Sequence, residues 1–188
     1  MVELARKLER IVKNFLWGAL GLFSSRKNSP PLPLNFASTD SVLVIRSDRL
    51  GDVILSTPVY ESIKKSFPHL RVSVIVNQSN APILNDNPNI EEIIPLNPKN
   101  PLGAIGKIRR KKFDVVFTLN KKFSIIASLL ALVSKTKYRV GYAHDETAWL
   151  YDVRLALNSQ PLHESLNNLE LLRYAGITQI SERPRLYF

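Results

Sequence analysis

The stretch Val42-Leu43-Val44-Ile45-Arg46-Ser47-Asp48-Arg49-Leu50-Gly51-Asp52-Val53-Ile54-Leu55-Ser56-Thr57-Pro58 decides the fold class. A short aliphatic run ends in a polar turn with two aspartates and two arginines, and the turn opens an apolar helix. In an open α/β sheet, ligands bind outside the carboxyl ends of the strands. An acid at that edge, at a helix N-terminus, is better placed for chemistry than one on a helix face. The turn is not a dinucleotide fingerprint, because Gly51 stands where G-x-G-x-x-G needs three glycines for close pyrophosphate approach. It also lacks the Gly-Lys-Ser/Thr of a Walker loop. What it offers is a helix N-terminus, the Asp52 carboxylate, and the cations Arg46 and Arg49.

Strands and helices alternate outward from this point. The residue pattern predicts strands over 42–46, 71–76, 90–96, 114–119 and 138–142. Between them it predicts a helix over 52–66, a short helix over 79–86, a basic helix over 101–112 and a buried helix over 122–134. A last helix runs over 163–175 with Gly176 as its C-cap. Pro58 falls inside the helix over 52–66, which predicts a kink or an irregular first turn. The strands lack alternating polar positions, as expected of a parallel sheet covered on both faces. The expected fold is a doubly wound, Rossmann-like α/β domain.

Composition narrows the class further. With 188 residues and 45% apolar content, the chain is one sizeable domain, or one domain with an appendage. Zero cysteines exclude disulfides, thiolate metal sites and a cysteine nucleophile. His69, His144 and His163 are too widely spaced to suggest a zinc motif. Residues 99–139 hold eleven Lys/Arg against one acid, Asp114, a local excess equal to the +10 of the whole chain. A field this local suits a polyanionic partner, whether nucleic acid, anionic lipid or a phosphorylated substrate, or else a solvated lysine-rich face.

Residues 3–23 predict a basic amphipathic helix with Phe15 and Phe23 among its apolar positions, and the segment also carries Trp17. Its uninterrupted apolar run, Phe15 to Phe23, is too short to span a bilayer. Such a helix either lies on a membrane surface or packs against the domain or a neighbouring subunit. Residues 28–40, with Pro30, Pro31 and Pro33, read as a semi-rigid linker, so the globular domain is expected over 41–188.

The pattern Arg46-x-Asp48-x-x-Gly51-Asp52-x-x-x-x-Thr57-Pro58 resembles the opening of the heptosyltransferase family, glycosyltransferase family 9. The resemblance continues through Pro68-x-x-x-Val72-x-Val74-Ile75-Val76, Ile93-Ile94-Pro95, Phe113-Asp114-Val115-Val116, Arg139-Val140-Gly141-Tyr142, and His163 opening a Leu-rich helix. It implies the N-terminal, acceptor-side domain of a two-domain GT-B transferase. The chain stops at Pro184-Arg185-Leu186-Tyr187-Phe188, about where a crossover strand would begin, so the donor-holding C-terminal domain is expected to be absent and the isolated chain inactive.

The implied reaction moves a heptose or related sugar, with inversion, from a nucleotide diphosphate donor such as ADP-heptose to a lipopolysaccharide core or similar glycan. No cofactor or metal is implied. Such a transfer needs a general base for the acceptor hydroxyl and positive charge at the leaving diphosphate. By resemblance Asp52 is the base; its bland alternative is a helix cap. Arg46, Asp48, Arg49, Gly51, Thr57, Lys121 and Lys122 are the implied substrate-binding residues. Asp48 contacts a sugar or else pairs internally with Arg46 and Arg49. Thr57 points into the cleft or bonds back to its helix. Lys121 and Lys122 follow the fourth strand, where acceptor phosphates would lie, or are plain surface lysines. His163 reads as a helix-start residue. The implied setting is the cytoplasmic face of the inner membrane, with a phosphorylated glycolipid as acceptor and no specific nucleic acid. The alternative is a non-catalytic acceptor- or nucleic-acid-binding α/β domain.

Overall fold

The computed structural model describes residues 30–144, 149–156 and 163–188. The helix expected over 3–23 and the start of the linker lie outside the described residues. The elements, in chain order, are β1 (Ser41–Arg46), α1 (Leu50–Ile54), α2 (Thr57–Ser66), β2 (Arg71–Asn77), β3 (Glu92–Leu96) and α3 (Leu102–Lys111). They continue with β4 (Val115–Thr118), α4 (Ile125–Val133), β5 (Tyr138–Tyr142), β6 (Val153–Leu155) and α5 (Glu164–Ala175). The six strands form one parallel sheet in the order β3-β2-β1-β4-β5-β6. The chain begins at the sheet centre, runs to one edge, then returns to build the other half. This is the doubly wound arrangement, with its topological switch point between β1 and β4.

Burial on both faces explains why the strand sequences read as continuous apolar runs. All six residues of β1 are buried. Val42 and Val44 face a core that includes Val59 and Ile63 of α2 and Leu169 and Leu172 of α5. Leu43 and Ile45 face the opposite core, with Ala104 and Ile108 of α3 and Leu130 of α4. Each such side chain contributes about 1.5–3 kcal/mol by leaving water.

Four details differ from the sequence expectation. The helix expected over 52–66 is two helices, α1 and α2, separated at Leu55 and Ser56. Pro58 sits in the first turn of α2, where its missing N–H costs no intrahelical bond. The helix expected over 79–86 is only a 3₁₀ turn over Ala81–Leu84, and β6, three residues long, has no counterpart in the predicted strands. The Pro-rich segment is also partly docked. Leu34 and Phe36 are buried, Phe36 rests against Phe67 and Phe117, and Leu34 N–H donates to Ala175 O at 2.9 Å.

Two further motif positions have structural reasons. The Asp114 carboxylate accepts from Asp40 N–H, Ser41 N–H and the Ser41 hydroxyl, each at 3.0 Å, and so ties the start of β1 to the start of β4. At Gly176 the left-handed conformation (φ 112°) ends α5 as the sequence predicts. Because every strand is parallel, each following helix starts at the carboxyl edge of the sheet. That edge gathers the ends of β1, β2 and β4 and the first turns of α1 and α5.

Candidate active site

The carboxyl edge carries a cleft of about 740 Å³. Asp48, Arg49 and Asp52 line it from the β1–α1 turn, Asn77, Ser79 and Asn80 from the end of β2, Lys121 and Lys122 from the loop after β4, and Glu164 from α5. The site is built around a cation beneath it. Arg46, the last residue of β1, is fully buried, with a side chain 0% exposed. Its Nε donates to Asp52 O at 3.3 Å, its Nη1 to Leu119 O, and its Nη2 to Glu164 Oε1 at 2.8 Å. Asp48 Oδ2 lies 3.6 Å from Nη1 and Asp52 Oδ1 lies 3.5 Å from Nη2. Three carboxylates from two elements and a turn therefore converge on one guanidinium.

The turn that presents two of them is pinned from below. Asn77 Nδ2 donates to Ser47 O at 3.0 Å and Asp48 O at 3.3 Å, and Asn80 Nδ2 donates to Asp48 O at 3.1 Å. Asn120 Nδ2 donates to Asp48 Oδ1. Burial pushes the Asp48 carboxyl above the usual aspartate range. The negative charges of Asp52 and Glu164 push the same way, while Arg46 and the Asn120 hydrogen bond pull it down without cancelling the rise.

The residues singled out in the sequence divide into those at the cleft and those behind it. Asp48, Arg49, Asp52, Lys121 and Lys122 line it. Asp52 sits in the first turn of α1, whose N-cap is Arg49 with no side-chain cap bond. Arg46 does not reach the cleft surface; it acts on the cleft through the carboxylates it faces. Gly51 is exposed on α1, and a Cβ there would meet no atom within 4 Å, so no close backbone approach demands glycine. The Thr57 hydroxyl bonds back to its helix. It donates to Ile54 O at 2.8 Å, accepts from Arg185 N–H at 3.0 Å, and is buried behind α1. His163 is the N-cap residue of α5, and its Nδ1 lies 2.8 Å from Ser165 Oγ.

Glu164, Asn77, Asn80 and Asn120 were not singled out in the sequence. Their signal was position: each follows closely on the carboxyl end of a strand or opens the helix after the last one. Among the described residues, no group of three or more His, Cys, Asp or Glu side chains is arranged to hold a metal ion. The centre of the carboxylate cluster is taken by the Arg46 guanidinium. The arrangement suits proton transfer with a hydroxyl and contact with anionic groups, since carboxylates and lysines open onto one cavity.

Comparison with known proteins yields no matching family model. The chain is 28% identical over 148 residues to Lipopolysaccharide heptosyltransferase 3 of Escherichia coli, covering 73% of this chain and 44% of that protein. It is 28% identical over 162 residues to Lipopolysaccharide core heptosyltransferase OpsX of Haemophilus influenzae, covering 82% of this chain and 46% of the relative. The chain thus spans less than half the length of these curated relatives. In fold it resembles a family 9 glycosyl transferase from Veillonella parvula, with TM-score 0.66 and 24% identity over 76% of this chain and 43% of that one. It also resembles the E. coli heptosyltransferase WaaC with ADP, with TM-score 0.63 and 17% identity over 74% of this chain and 48% of that one.

The raised Asp48 carboxyl gives a pH-dependent expectation. A carboxyl that holds its proton more tightly folded than unfolded lowers stability as pH rises from near its unfolded value, about 3.9, through its folded value. Asp48→Asn keeps an acceptor for Asn120 and removes that cost. Its melting temperature should exceed that of the parent at pH 7, with the gain shrinking on acidification and gone below about pH 4. A variant less stable than the parent at pH 7 would contradict the direction of the shift.

Proposed function

We propose that this chain, a heptosyltransferase relative of glycosyltransferase family 9 over its globular part, is the acceptor-side half of an inverting sugar transferase that modifies a lipopolysaccharide core. The observation that carries the reading is the placement of Asp52. It opens onto the carboxyl-edge cleft beside a buried arginine, with Lys121 and Lys122 lining the same cavity.

In this reaction Asp52 takes the proton of the acceptor hydroxyl as that oxygen bonds to the anomeric carbon of the donor. The bond from that carbon to the diphosphate breaks on the opposite face, and the developing negative charge meets Arg49 and the free N–H groups at the start of α1. Lys121 and Lys122 receive phosphates of the acceptor, and Asp48 offers a second polar contact to a sugar. The donor is a nucleotide diphosphate heptose, in keeping with the ADP in the WaaC structure. This domain supplies one wall of the donor site, so the 188-residue polypeptide alone binds such a donor no better than about millimolar.

The proposal extends to location. A lipid-linked acceptor places the protein at the cytoplasmic face of the inner membrane, and the basic, aromatic-bearing residues 1–27 are the proposed contact. The full chain is expected to pellet with anionic vesicles, and a form starting at Asn28, which keeps the buried Leu34 and Phe36, to pellet less, with the difference falling as salt is raised. Equal pelleting of the two forms would contradict the contact.

The test of the chemistry is Asp52→Asn in a protein that joins these residues to a donor-binding half. Transfer should fall by at least about 100-fold, as expected for loss of a general base, while the melting curve stays near that of the parent. Retention of more than about a tenth of the parent rate would remove Asp52 from the role.

A further inference from the structure

The base proposed above shares its cation with a residue more than a hundred positions away in the chain. Arg46 Nη2 is 2.8 Å from Glu164 Oε1 in a hydrogen bond, but 3.5 Å from Asp52 Oδ1, a separation of opposite charges without a good hydrogen bond. Nε and one N–H of Nη1 are directed to the carbonyls of Asp52 and Leu119. Nη2 carries two N–H groups, so Glu164 and Asp52 do not exclude each other from one hydrogen but draw the same guanidinium, itself 0% exposed, toward different positions. Glu164 holds it. It opens α5, a twelve-residue helix fixed in the core by Leu169, Leu171 and Leu172, whereas Asp52 stands on the five-residue α1. The remaining charges facing this pair are Asp48 and Arg49 from the turn and Lys121 and Lys122 from the loop after β4.

We infer that Glu164 is a positioning residue. By bonding Arg46 Nη2 at 2.8 Å it anchors the guanidinium short of Asp52 and leaves the Asp52 carboxylate open to the cleft. The role of the freed carboxylate rests on the function proposed above; the competition for Arg46 does not. A short charge-assisted bond from Arg46 would tie up the oxygen that receives the acceptor proton. Glu164 prevents this by acting through Arg46, which gives a physical reason for a third acid beside two others.

The test compares crystal structures of the full chain as the parent, Glu164→Ala and Glu164→Gln. In Glu164→Ala the distance from Arg46 Nη2 to Asp52 Oδ1 should contract from 3.5 Å to a charge-assisted bond of about 2.7–2.9 Å. In Glu164→Gln the amide oxygen still accepts from Arg46, and the parent separation should persist. Glu164→Asp keeps the charge that balances Arg46 while withdrawing the carboxylate by one methylene. It should show the same contraction should the alanine variant not fold. An Arg46 fork that stays apart from Asp52 in both shortened variants would overturn the inference.

A kinetic arm separates this from the proposed function. In a protein joined to a donor-binding half, Glu164→Ala should lower kcat about tenfold or more with the acceptor KM within about twofold, and Glu164→Gln should restore most of it. Contraction of the contact with an unchanged kcat would establish the competition for Arg46 and remove Asp52 as the base.

Discussion

A fully buried arginine must be matched by acceptors, and in this protein the matching of Arg46 assembles the site. Removing the hydrogen-bonded partner of a buried charge costs about 3–5 kcal/mol, so Glu164 and the two carbonyls bonded to Arg46 are held to it by stability as well as by chemistry. Arg46 ends the central strand and draws its acceptors from the start of α1, the end of β4 and the start of α5. These segments are far apart in the chain and adjacent only at the carboxyl edge of the parallel sheet. The cleft that forms above them inherits three carboxylates, all partly open to solvent, with Asp52 at 32%, Asp48 at 30% and Glu164 at 23% exposure.

The charge distribution resolves on the structure into separate populations. The basic cluster over 99–139 looks like one patch in the sequence, yet only Lys121 and Lys122 of its members line the cleft. Lys111 is bound to Glu92 at 2.7 Å, Arg139 is buried in β5, and Arg109, Arg110 and Lys112 project from the end of α3. The positive charge at the cleft therefore comes from two lysines of this cluster and from Arg49, with the α3 cations elsewhere on the surface. This division favours local contact with anionic groups at the cleft over a single extended polyanion track.

The sheet was legible because burial on both faces writes itself into a strand as an unbroken aliphatic run. β1, β2, β4 and β5 fell within a residue or two of the expected bounds for that reason. Gly176 was legible because a left-handed helix end selects glycine. The break between α1 and α2 was only half legible. Pro58 announces an irregularity, but whether it kinks one helix or opens a second depends on Ser56, whose buried hydroxyl bonds Val53 O at 2.7 Å and Tyr60 at 2.8 Å. β6 was hidden by its length, since three residues carry no period.

The site was legible only where its residues cluster in sequence. Asp48, Arg49 and Asp52 share one turn, and Lys121 and Lys122 follow a strand. Glu164 and the three asparagines are single polar residues whose partners lie in other elements, and topology alone brings them together. Arg46 looks like a ligand contact in the sequence because it is charged and sits at the turn. Its burial shows that it organises the contacts of others. The most direct measurement is amide chemical-shift mapping of the full chain titrated with a phosphorylated inner-core oligosaccharide. An acceptor cleft built on Arg46 predicts shifts at Asp48, Asp52, Lys121, Lys122 and Glu164 with little change along α3. Shifts confined to Arg109, Arg110 and Lys112, or none at millimolar ligand, would contradict it.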